Sequence, residues 1–213
     1  MNNLEHIYVI NLDKDTEKLQ HFKQQIGDSF SYSRIKGVEP LEGNNKLNKG
    51  QLGCLSSHIL ILEDAIKNNY KKILIFEDDI ILKDSWENIK TAANNLQYLE
   101  TNLLYLGCSQ HRWNRIKTLA EKRENIKIEK NYYHCIRSYG SFAVIINNSI
   151  YKTLLNMYKL KCKPVDNYLI DYQLNNKHKC IVMYPNKVIA DVTTSNTGDP
   201  RDQNKMAKKF RWI

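Results

Sequence analysis

Ile73-Leu74-Ile75-Phe76 is a run of apolar side chains with no polar break, and it leads straight into Glu77-Asp78-Asp79. A strand with one wet face alternates apolar and polar residues, whereas one without polar residues is covered on both faces. Such a strand needs helices above and below its sheet. That is the layout of an α/β domain, in which mainly parallel strands are joined by helical crossovers. Ligands of open α/β sheets sit beyond the carboxyl ends of the strands. The three acids stand at that end.

The rest of the chain supports the alternation. Ile7 to Ile10 reads as a buried strand closed by the polar Asn11-Leu12-Asp13. Leu19, Phe22 and Ile26 are spaced for a helix over residues 16–26. A strand is expected within residues 31–38, a loop over 42–50, and a helix from Ser56 to Asn68 with Ile59, Leu62 and Ile66 on one face. A helix over 86–96, strands over 102–106 and 142–146, and a helix over 149–159 follow. A short helix from Asp166 to Asn175 and a strand over 181–184, stopped by Pro185, complete the series. Residues 111–131 are polar and basic with weak periodicity. The 213 residues suit one domain. We expect it over residues 1–200, with a basic C-terminal tail over 201–213.

Charge is unevenly spread. Residues 1–100 hold 12 Lys+Arg and 15 Asp+Glu, while residues 101–213 hold 20 and 8, so the net +9 comes from the second half. An anionic partner is implied: nucleic acid, an acidic membrane or a phosphorylated small molecule. A basic nucleic-acid-binding domain is the rival class, but no recognised binding motif is present and an acidic cluster repels phosphate, so no nucleic-acid partner is expected. No apolar stretch approaches the ~18 residues of a spanning helix. The N-terminus lacks a basic region before an apolar run. The five cysteines form no C-x-x-C pair. These features suggest a cytoplasmic chain.

Hard carboxylate oxygens such as those of Glu77, Asp78 and Asp79 suit magnesium or manganese, which can bridge a diphosphate. The same triplet also fits a solvated turn or a helix cap. Both readings stand on the triplet alone.

Five segments in order resemble glycosyltransferase family 25. They are Ile10-Asn11-Leu12-Asp13; Gly50-Gln51-Leu52-Gly53-Cys54-Leu55-Ser56-Ser57-His58, followed by a helix; the apolar strand with Glu77-Asp78-Asp79; Tyr139-Gly140-Ser141-Phe142-Ala143-Val144-Ile145-Ile146 with the later Leu154-Leu155; and Pro164-Val165-Asp166-Asn167-Tyr168-Leu169. The resemblance runs from about residue 6 to residue 197. Two segments depart from the family pattern. Lys14-Asp15-Thr16-Glu17-Lys18 keeps charge where arginines are usual but loses their bidentate geometry. Ser195-Asn196-Thr197 lacks the usual aspartate.

The resemblance implies a single GT-A type, Rossmann-like domain and a UDP-sugar donor with manganese or magnesium. It also implies a glycan or glycolipid acceptor such as lipooligosaccharide, with hydroxylysine of a collagen-like protein as the alternative. Galactose or glucose would be transferred, with inversion. By the same resemblance Asp79 ligates the metal and Glu77 contacts the ribose or the metal shell, while Asp78 serves in either place. Asn11 and Leu12 line the nucleotide pocket, His58 contacts donor or acceptor, and Ser141 contacts the sugar.

Inversion by direct displacement needs one general base. Asp166 is the candidate, with Asp171 as a weaker one and Asp191 as a further metal ligand. The plainer readings are an N-cap for Asp166 and a carbonyl-bonded helix-face residue for His58. Trp86 is expected to pack in a helix face, while Trp113 and Trp212 are open to sugar stacking. The tail, with Arg201, Lys205, Lys208, Lys209 and Arg211, could touch an anionic membrane at its inner face or be a solvated helix end.

Overall fold

The computed structural model describes residues 4–94, 100–109, 127–129, 131–135, 137–191, 203–210 and 213. The strands are β1 (His6–Asn11), β2 (Ser33–Lys36), β3 (Lys72–Glu77), β4 (Ile80–Leu82), β5 (Leu103–Tyr105), β6 (Lys127–Glu129), β7 (Tyr132–His134), β8 (Ala143–Asn147), β9 (Cys180–Met183) and β10 (Val188–Ala190). The helices are α1 (Thr16–Ile26), α2 (Lys49–Lys67), α3 (Trp86–Asn94), α4 (Tyr151–Lys159), α5 (Val165–Asn175) and α6 (Gln203–Phe210).

Eight strands form one sheet in the order β2-β1-β3-β8-β5-β9-β7-β6. β1 is parallel to both β2 and β3, and β5 is parallel to β9. β8 runs antiparallel between β3 and β5, and β7 runs antiparallel between β9 and β6. Six of these strands therefore point one way, with β8 and β7 reversed. The expected α/β architecture, a mainly parallel sheet flanked by helices, is present. The reversed strands and the separate antiparallel ribbon of β4 and β10 carry too few residues for their pairing to show in the pattern.

The central strand behaves as its composition demands. Ile73 and Ile75 face α2, α4 and α5 through Leu55, Leu62, Leu154 and Leu169. Leu74 and Phe76 face α1 and α3 through Phe22, Ile26, Trp86 and Ile89. All four strand residues are fully buried. Each such burial contributes about 1.5–3 kcal/mol. Trp86 packs on Phe30 with ring centroids 4.4 Å apart, the plain reading of that residue.

α2 begins at Lys49, seven residues before the expected Ser56. Gly50 and Gly53 lower helix propensity, but Asn48 and Gln51 form a reciprocal capping box that starts the helix. Gly53 is required by packing: a Cβ there would stand 2.4 Å from the Val38 carbonyl oxygen. The helix expected over 149–159 opens with a 3-10 turn, Asn148–Ile150. On α6, Ala207 is buried against Ile189 while Lys205, Lys208 and Lys209 are exposed. Trp113, Trp212, Arg201, Arg211 and Ser195-Asn196-Thr197 lie outside the described residues, as do the end of the helix expected over 86–96 and most of 111–131.

Candidate active site

A cavity of about 690 Å³ opens where β1 and β3 end. It is lined by Asn11 and Leu12 after β1, by Glu77, Asp78 and Asp79 after β3, by Ser141 before β8 and by Asp166 at the start of α5. Residues separated by up to 155 positions in the chain thus share one wall. Lys14, Lys18 and Lys49 line it too, with Val38, Pro40, Gly53 and Cys54.

Glu77 is the last residue of β3, and its N–H donates to the Phe142 carbonyl. The Ser141 hydroxyl donates to Glu77 Oε1 at 2.6 Å. Gly140 holds the chain before Ser141 at φ +101, a region that favours glycine. Asp78 Oδ2 accepts from Asn11 Nδ2 at 2.6 Å. Asn11 is 2% exposed and also donates to the Asp15 carbonyl, while its own Oδ1 accepts from Arg34 Nε at 2.8 Å. Arg34 in turn donates to Asp13 Oδ1. The Asn11 amide is therefore committed to holding Asp78 and the β1 end in place while it lines the cavity.

Glu77-Asp78-Asp79 does not cap a helix: Asp78 and Asp79 form the turn between β3 and β4. The backbone N–H of Asp191 donates to the Asp79 carbonyl, so the β10 end lies beside the triplet. Asp166 is not the N-cap either. Pro164 holds that position, and Asp166 sits in the first turn with its Oδ1 accepting from the Asn167 N–H at 2.9 Å. Asp171 instead pairs with Lys163 at 2.7 Å and is not among the cavity-lining residues.

His58 departs from its plainer reading. It is fully buried, does not line the cavity, and neither ring nitrogen has a hydrogen-bond partner. It thus lacks the carbonyl bond of an ordinary helix-face histidine. It lies one turn beyond Cys54 on α2, behind the cavity wall.

Burial dominates the electrostatics. It raises the proton affinity of Glu77, with Asp78 and Asp166 adding to the effect and the Ser141 hydrogen bond and Lys18 opposing it. Burial also pushes the Asp79 carboxyl well up, reinforced by Glu77 and Asp78. Asp78 and Asp166 are raised by burial as well. Lys18 is the cation whose field offsets all three acids of the triplet. Asp79 Oδ1 is buried without a hydrogen-bond donor. Crowded acids with an unsatisfied carboxylate oxygen fit a divalent cation held through hard oxygen ligands. Asp79 and Glu77 could hold such an ion, while among the described residues the metal-type ligand atoms that lie within 4.8 Å of one another are those of Cys54, His58 and Glu77.

Arg34, Lys18 and Cys54 were not anticipated as site residues. The charge retained in Lys14-Asp15-Thr16-Glu17-Lys18 is a signal for Lys18. Arg34 acts across the β1–β2 pair, which sequence spacing does not reveal.

Residues 4–169 match the family described as "Glycosyltransferase family 25 (LPS biosynthesis protein)". That span includes every cavity acid named above. A lipooligosaccharide biosynthesis protein, lex-1, of Haemophilus influenzae is 24% identical over 189 residues, 79% of this chain and 61% of its own length. An inactive glycosyltransferase 25 family member 3 of Mus musculus is 32% identical over 79 residues, 36% of this chain and 13% of its own. A crystal structure of a glycosyltransferase involved in glycosylation of the major capsid of PBCV-1 aligns over 84% of this chain and 92% of that one, with 10% identity and a TM-score of 0.49. The chain thus spans about three fifths of the bacterial relative's length. With the family match covering most of the sequence, from β1 into α5, the chain belongs to glycosyltransferase family 25.

Proposed function

We propose that this protein transfers a hexosyl group, galactose or glucose, from a UDP-sugar to a glycan acceptor such as lipooligosaccharide, with inversion and with a need for manganese or magnesium. One observation carries this reading: a single cavity at the strand ends gathers Glu77, Asp78, Asp79, Ser141 and Asp166 in a family 25 chain. Asp79 and Glu77 hold the cation. When bound there, a divalent cation would supply positive charge against the negative charge that builds on the departing diphosphate. Asn11 and Leu12 flank the nucleotide, Asn11 also keeps Asp78 in place, and Ser141 fixes Glu77 beside the sugar.

Asp166 takes the proton from the acceptor hydroxyl. Its Oδ1 is held by the Asn167 N–H, which leaves Oδ2 as the proton acceptor. Burial makes this carboxylate a stronger base than a solvated one. The relative named for lipooligosaccharide biosynthesis supports a cell-surface glycan as acceptor. Among the described residues no helix is long and apolar enough to cross a membrane. The exposed lysines of α6 suit peripheral contact with the cytoplasmic face of an anionic membrane.

The relative named as inactive favours one second reading, a donor-binding protein without transfer. Both readings meet the same experiment, a panel of UDP-sugars with manganese and a lipooligosaccharide acceptor, scored for UDP release and for thermal shift. Transfer predicts a shift and UDP release with one UDP-hexose, both lost in Asp79→Asn. A shift without release selects the second reading. No shift with any UDP-sugar refutes the donor assignment.

A further inference from the structure

We propose that Cys54, His58 and Glu77 form a second metal site, suited to a borderline-soft divalent ion such as zinc, which shares Glu77 with the hard-oxygen position at Asp79 but takes its other ligands from α2. Cys54 and His58 stand four residues apart on α2 and therefore share a helix face. Glu77 closes β3 opposite them. The three side chains offer a sulfur, an imidazole nitrogen and a carboxylate oxygen that all lie within 4.8 Å of one another. Zinc bonds of about 2.0–2.3 Å in a tetrahedron set their ligand atoms roughly 3.3–3.8 Å apart. A contraction of about 1 Å, within reach of side-chain rotation, closes the site.

The independent observation is His58. Its ring is fully buried, yet neither nitrogen meets a hydrogen-bond partner. Leaving such a group unsatisfied is costly, and a buried polar atom without a partner points to a missing ligand. A metal ion satisfies one nitrogen directly. The ligand set also selects the ion. Thiolate with imidazole and one carboxylate suits zinc or cobalt in a three-ligand site with an open fourth position, whereas magnesium and manganese prefer oxygen. Cys54 and Glu77 line the cavity, which gives the ion a path inward. On loading, the Cys54 thiol releases its proton to solvent and the thiolate binds the ion.

The site does not depend on the transferase reading, although Glu77 serves both. The test is titration of the chelator-stripped full chain with cobalt(II), followed by absorption. A thiolate-to-cobalt charge-transfer band with tetrahedral visible bands, saturating at an equimolar ratio and displaced by zinc, is expected. Cys54→Ser should abolish the charge-transfer band, and His58→Gln should weaken cobalt binding by at least about tenfold. Asp79→Asn and Cys162→Ser should retain the band. Absence of the band in the parent chain overturns the proposal, as does its persistence in Cys54→Ser or its loss in Asp79→Asn. The readout needs no donor sugar, so a failed UDP-sugar panel and a failed cobalt titration are separate results.

Discussion

Acidification should weaken the metal-free fold through His58, the histidine whose proton affinity burial lowers to about 4. Its ring has no hydrogen-bond partner, and burial alone holds its proton affinity down, from 6.5 to about 4. At about 1.4 kcal/mol per tenfold change in affinity, that difference amounts to about 3 kcal/mol. The sign follows from which state binds the proton first. As pH falls through 6.5 the unfolded chain protonates His58 while the folded chain does not, so stability declines. The decline ends near pH 4, where both states carry the proton. By about pH 5, the share of His58 in this decline should reach roughly 2 kcal/mol relative to about pH 8.

The buried carboxyls Glu77, Asp79 and Asp166 act in the opposite sense, because their raised affinities let the folded chain bind protons more readily as pH falls. A bare pH profile would mix the two effects. A comparison with His58→Leu separates them, since this swap nearly conserves volume and removes the titrating ring. Urea unfolding followed by circular dichroism, in chelator at about pH 8 and about pH 5, gives the four stabilities needed. The parent should lose about 2 kcal/mol more than the variant between the two conditions. Parallel profiles for parent and variant would refute the reasoning, as would a His58 ring titration with its midpoint near 6.5.

Three further outcomes are expected. Asn11→Ala removes donors to Asp78 and to the Asp15 carbonyl and the acceptor for Arg34. With hydrogen bonds to charged groups worth about 1.5–3 kcal/mol each, it should lower unfolding free energy by about 3 kcal/mol, measured in urea. Asp166→Asn keeps the shape of the cavity but removes the proposed base, so turnover should fall by about 10²–10⁴ while the thermal shift given by UDP is unchanged. Gly53→Ala forces a methyl group against the Val38 carbonyl. It should cost about 1–3 kcal/mol and, because Val38 and Pro40 line the cavity, raise the donor KM.

Strong local patterns made part of this fold readable in the sequence. The Ile73–Phe76 run declares burial on both faces, and the Leu19, Phe22, Ile26 spacing marks α1 at the residues where it occurs. The Gly50–Cys54 segment misled because glycine argues against helix. The competing signal was the Asn48–Gln51 capping box, and the reason for Gly53 is a contact with Val38 that local sequence does not display. β4 and β10 are three residues each and owe their existence to each other. At the site, the acids could be named because charged residues directly after an apolar strand stand out. The Asn11–Asp78 bond could not, since it joins positions 67 apart through the β1–β3 pairing. His58 shows the limit most sharply: its motif marks it for attention, but only packing reveals a ring without partners.

The uneven charge of the chain takes on a different meaning once the cavity is drawn. The half with the large positive excess supplies no lysine or arginine among the described cavity-lining residues. Lys14, Lys18 and Lys49 come from the other half, which is net acidic. Each is near a carboxylate: Lys14 and Lys49 pair with Glu39, and Lys18 lies 3.8 Å from Asp15. These cations sit in a wall whose acids are already crowded, so they do not by themselves make the floor receptive to a diphosphate. On the proposed reading, a divalent cation at Asp79 would reconcile this acidic floor with an anionic donor. Among the described residues of the second half, Lys159, Lys163, Lys179 and Lys187 are engaged with outer carboxylates, and Lys205, Lys208 and Lys209 of α6 are exposed. On the proposed reading, the lysines and acids of the net-acidic half would therefore face the small anionic donor, and the exposed cations of α6 would face any large anionic surface approaching from outside.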